Sequence, residues 1–115
     1  MNFALIEDYP LKIEVLKRKL ASDGHIVVAE ATTYPIAMNL VTDLLAGRIL
    51  TDVVLLDANL TPFREDGVEG TELARTLVDG GFSRPILSIS VDETFWPGTT
   101  YTGPHYTNIV SFLGI

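Results

Sequence analysis

Cysteine is absent from all 115 residues, so neither a disulfide framework nor a thiolate metal site is available, which suits a reducing compartment. Positive charge is scarce as well: 8 basic side chains face 15 acidic ones for a formal charge of -7, and no lysine follows Lys19. Such a surface repels phosphate backbones and anionic lipid, which argues against direct nucleic-acid or membrane binding. No apolar run is long enough to span a bilayer, and the first residues lack the charged-then-apolar layout of a secretion signal, so a cytoplasmic location is expected. The two histidines, His25 and His105, have no second imidazole at ligand spacing and read as structural or solvated. What is plentiful is apolar material, 47% of the chain, enough to pack one core and to expect a single domain over residues 1–115.

Short apolar runs alternate with helical-period segments. Phe3 to Ile6 reads as a buried strand that ends abruptly in Glu7 and Asp8. From Pro10 to Ser22 the pattern is helical, with Ile13, Leu16 and Leu20 on one stripe, Lys12, Lys17 and Lys19 elsewhere, and Gly24 as the stop. Ile26 to Ala29 is a second strand. Thr32 or Thr33 then caps a helix over Pro35 to Ala46, and Val53 to Leu56 is a third strand ending in Asp57. Asn59 to Gly70 is polar and turn-rich; Leu73, Ala74, Leu77 and Val78 form another helical face, and Pro85 to Ser90 a fourth strand. This alternation predicts an open parallel α/β sheet with right-handed crossovers. Pro97, Gly98, Gly103 and Pro104 predict an irregular loop over Thr94 to Asn108, with a fifth strand at Ile109 to Leu113 and no final helix.

In such a sheet, side chains at the carboxyl ends of neighbouring strands converge on the crevice where these folds bind ligands. Glu7, Asp8 and Asp57 occupy that place. Three converging carboxylates repel unless protonated or balanced by a cation, and a hard, oxygen-preferring ion such as Mg²⁺ matches them. Taken singly, Asp8 is equally placed to cap the helix that begins at Pro10.

The stretches FALIED, DVVLLDAN, GTEL and PILSIS resemble a bacterial response-regulator receiver domain of the CheY-like type over Phe3 to about Asp92. The resemblance implies a three-layer flavodoxin-like sheet of order 2-1-3-4-5, here with a degenerate fourth helix and no fifth. It also implies a site. Glu7 and Asp8 become the acidic pair, Asp57 the acceptor of phosphate from a histidine kinase or phosphotransfer protein, and the backbone carbonyl of Asn59 a further Mg²⁺ ligand. Ser90 matches the family's switch hydroxyl.

The chain departs from that pattern in three ways. The family's lysine at the end of the fifth strand is missing, its expected place near Ser111 or Phe112 carrying no charge, with Arg64 as a partial substitute. The loop TPFREDGVEG is long and brings Glu65, Asp66 and Glu69 near the site. Missing terminal helices leave one sheet face to Phe95, Trp96, Tyr101 and Tyr106 and the other to the first helix alone, which predicts a homodimer through the first-helix side, or a fragment. The main alternative is therefore a pseudo-receiver, an interaction module that works without phosphate. An enzyme is less favoured: DANLT resembles the nucleophile signature of haloacid-dehalogenase-type phosphatases, but Asn59 stands where their general acid belongs, and an amide cannot shuttle that proton.

Overall fold

The structure, a computed structural model, describes residues 1–60 and 68–115. Arg64, Glu65 and Asp66 lie outside the described residues. Five strands, β1 (Asn2–Ile6), β2 (Ile26–Ala31), β3 (Val53–Leu56), β4 (Ile86–Ser88) and β5 (Thr100–Tyr101), form one sheet of order β2-β1-β3-β4-β5. Every pairing is parallel. Between them run the helices α1 (Pro10–Ser22), α2 (Tyr34–Leu45) and α3 (Val68–Asp79), and α4 (Tyr106–Leu113) follows β5.

The sheet is covered on both faces because its central strands alternate two apolar sets. Phe3, Leu5, Val53, Leu55, Leu87 and Ile89 pack beneath α1 and α4, against Leu16, Leu20 and Ile109. Ala4, Ile6, Val54, Leu56 and Ile86 face α2 and α3, against Leu40, Val41, Leu73 and Leu77. Burial on both faces explains why β1 and β3 read as continuous apolar runs rather than as alternating ones.

The far end of the chain differs from expectation. Ile109 to Leu113 is not a strand: it belongs to α4, and the fifth strand is the two-residue β5 within the segment expected to be irregular. Tyr106, Ile109 and Leu113 recur at helical spacing and all join the core under α1. Gly114, in the left-handed conformation at φ 71°, closes the helix, its N–H donating to the Ser111 carbonyl while that of Ile115 reaches Val110. A final helix thus joins α1 on the face that was expected to have the first helix alone, and the reason for self-association through the first-helix side falls away. The fourth family helix does have no counterpart: no helix lies between β4 and β5, and Trp96 packs into the core beneath α3 instead, while Phe95 stays 81% exposed.

Candidate functional site

Glu7 and Asp57 each follow directly on the last residue of a central strand, and they continue the parity of Phe3 and Leu5 and of Val53 and Leu55. Both belong on the α1 side of the sheet for that reason. The strands are locked side by side there, with the Asp57 N–H donating to the Ile6 carbonyl at 2.9 Å and the Glu7 N–H to Ala31 at 3.1 Å. One carboxylate oxygen from each of Glu7, Asp8 and Asp57 lies within 4.8 Å of the others. The three acids that sequence placed at one rim do meet.

Glu7 is 1% and Asp57 9% exposed. Glu7 Oε1 accepts the Tyr9 N–H at 3.3 Å, whereas Oε2 is buried without a hydrogen bond of normal geometry. Burial, then the neighbouring Asp57 charge, pushes the Glu7 carboxyl up to about 7, against a smaller opposing pull from Lys12. The same two causes raise Asp8, with a further contribution from Glu69 in the first turn of α3. Asp8 is not the helix cap: Tyr9 holds that position, makes no side-chain capping bond, and Pro10 begins the helix.

The side chain that sequence reasoning missed is Lys12. Its Nζ stands 3.3 Å from Glu7 Oε2 and 3.9 Å from Asp57 Oδ1, and donates to the Ile89 carbonyl at 3.3 Å. The signal was present, because Lys12 lies four residues before Leu16 and eight before Leu20, on the buried stripe rather than apart from it. A lysine on that stripe, one turn from the strand ends, points its ammonium at the acids.

Ser90 is buried two residues beyond β4, and its carbonyl accepts the Tyr101 hydroxyl at 2.9 Å. It follows Ile89, whose N–H donates to the Leu56 carbonyl, and so sits beside the loop that carries Asp57. Asn59 is half-buried, two residues past Asp57. Gly70 lets α3 press on that loop: a Cβ there would stand 2.7 Å from Ala58 Cα, 2.8 Å from the Asp57 carbonyl oxygen and 2.8 Å from the Trp96 ring. The position after β5 is held by Thr102, Gly103 and Pro104, not by Ser111 or Phe112, and is likewise uncharged.

No protein-family profile and no curated protein matches this sequence. Solved structures do. The BeF3-activated N-terminal receiver domain of Klebsiella pneumoniae RstA is similar over 99% of this chain and 96% of its own, with a TM-score of 0.70 and 18% identity. The chain has the CheY-like receiver fold.

A CheY-like receiver domain from Methylobacillus flagellatus gives the same result, with a TM-score of 0.69 at 16% identity over 99% of this chain and 96% of that one. The receiver domain of the histidine kinase CKI1 from Arabidopsis thaliana, complexed with Mg2+ and BeF3-, covers 82% of this chain and 68% of its own, at 22% identity and a TM-score of 0.59. Within the receiver fold, Glu7, Asp8 and Asp57 occupy the carboxyl-end crevice of the sheet, and Lys12 brings the cation from α1 rather than from beyond β5.

Proposed function

We propose that the chain is a one-domain, cytoplasmic receiver of a two-component system, a signalling protein rather than an enzyme, in which Asp57 accepts a phosphoryl group from a histidine kinase or phosphotransfer protein. The observation that carries this reading is the convergence of three strand-end carboxylates on the crevice of a receiver fold. No helix among the described residues is long and apolar enough to cross a membrane.

The residues fit Mg²⁺. All donors are oxygens, Glu7 Oε2 is a buried acceptor lacking a regular hydrogen bond, and three carboxylates against one ammonium leave two formal negative charges for a divalent ion. One oxygen from each of Glu7, Asp8 and Asp57 lies within 4.8 Å of the others, so the three carboxylates are grouped as ligands of one cation would be. Glu7, Asp8, Asp57 and the carbonyl of Asn59 are the ligands we assign. A Mg²⁺ held by these residues would supply positive charge to offset the negative charge on the oxygens of an incoming phosphoryl group.

In the transfer itself, a phosphorus–oxygen bond forms to an Asp57 oxygen as the phosphorus–nitrogen bond of the partner's phosphohistidine breaks. The imidazole nitrogen keeps the electron pair and takes a proton from solvent, and Asp57 becomes an acyl phosphate. Ser90, beside the acceptor loop, is the hydroxyl we assign to the phosphoryl oxygens.

A Mg²⁺ titration followed by amide shifts tests the site. Wild type should saturate with shifts at residues 7, 8 and 57–59, and Asp57→Ala should bind at least about tenfold more weakly. Equal binding by the two proteins contradicts the assignment. One observation favours a second reading, a pseudo-receiver working without phosphate: Lys12 already neutralises part of the pocket. That reading expects no response of wild type to Mg²⁺ with beryllofluoride.

A further inference from the structure

We propose that Lys12, in the first turn of α1, is the residue that binds the phosphoryl group on Asp57, so that the switch is read from a helix rather than from the strand end beyond β5. This inference rests on Asp57 being the acceptor and adds the cation that answers it.

Among the described residues, Lys12 is the cation whose ammonium the structure sets between Glu7 and Asp57. An ammonium has three donors and no acceptor. One donor reaches the Ile89 carbonyl at 3.3 Å, and the ammonium forms an ion pair with Glu7 Oε2 at 3.3 Å. Asp57 Oδ1 lies 3.9 Å from the same nitrogen, close enough for charge attraction but too far for a hydrogen bond. That gap is the distinctive feature. Phosphorylation turns the Asp57 carboxylate into an uncharged acyl group of an acyl phosphate, whose three terminal phosphoryl oxygens hold up to two negative charges. A phosphoryl group on Asp57 would carry its oxygens out past the carboxylate, within reach of an ammonium that already stands 3.9 Å from Oδ1. The ammonium then meets a stronger acceptor nearer than the carboxylate was, and a charge-assisted hydrogen bond forms where none exists before.

Geometry also specifies what this contact moves. The Lys12 side chain is only 20% exposed and already tied to the Ile89 carbonyl, the residue before Ser90. Drawing Nζ towards Asp57 loosens that bond and pulls on the first turn of α1, so the signal passes to the start of α1 and to the connection leaving β4.

The test uses the full chain and two ligands. In wild type at saturating Mg²⁺, beryllofluoride should bind and shift the amides of Lys12, Ile89 and Ser90. Lys12→Met should need at least about tenfold more beryllofluoride, the loss expected for a charged hydrogen bond. The same variant should bind Mg²⁺ at least as tightly as wild type, because a competing positive charge has left the pocket. Lys12→Arg should recover part of the beryllofluoride affinity. Misfolding weakens both ligands together and cannot produce opposite effects. If Lys12→Met binds beryllofluoride as wild type does, or loses both ligands alike, the assignment of Lys12 is overturned while Asp57 stands. If wild type itself gives no response, the acceptor reading fails and this inference with it.

Discussion

Glu7 is the residue at which burial and charge conflict most directly. Its carboxyl titrates near 7 in the fold, against 4.5 for an ordinary glutamate, with desolvation the leading cause and Asp57 the second. Between those two pH values the folded chain holds a proton that the unfolded chain has released. The Glu7 contribution to stability is therefore fully present below about 4.5 and is lost as pH rises through 7. Glu7→Gln removes this penalty. In Mg²⁺-free buffer, urea unfolding at pH 5 and pH 8 should show a smaller fall for the variant, which should exceed wild type at pH 8 by on the order of 1–3 kcal/mol. Identical pH dependence would contradict the buried-carboxylate account. The three acids were legible in sequence because each ends a strand-like apolar run, and in a parallel sheet strand ends share one rim. Lys12 was legible in principle, being in phase with Leu16 and Leu20, but a charge on an apolar stripe is easily assigned to solvent unless the acids beyond the helix end are considered with it.

At the scale of elements, the decisive piece is α4. Ile109 is fully buried between α1 and the sheet, and Ile109→Ala should cost about 2–5 kcal/mol by chemical denaturation. A loss below about 1 kcal/mol would mean that the helix does not pack as described. Its sequence misled because a five-residue apolar run between turn signals fits a strand as well as a buried helix. The arbiter was Tyr106, which extends the pattern backwards to the 106, 109, 113 spacing of a helix, with Gly114 as its cap rather than a mere chain end. α3 makes a second close approach. At Gly70 any side chain meets the backbone of Ala58 and Asp57, so Gly70→Ala should lower stability by about 1–3 kcal/mol and shift the Asp57 amide resonance. The sequence does not show what that glycine touches, since the contact that requires it arises only when α3 docks.

For the whole molecule, the receiver fold is kept with two local features of its own. Trp96 fills the place of a helix between β4 and β5, and Lys12 brings to the acids a charge that the residues after β5 do not carry. Both features arise from side chains reaching across the fold, which is why a parallel sheet was readable from the alternation of segments, and its order from the family resemblance, while these two were not. Both sheet faces are covered, and Glu7, Asp8 and Asp57 gather at one rim of the sheet. Intact-mass spectrometry after incubation with Mg²⁺ and acetyl phosphate, an acyl phosphate donor, tests the central claim most directly. Wild type should gain the mass of one phosphoryl group and Asp57→Asn none. An unmodified wild-type chain, or equal modification of both, would contradict it.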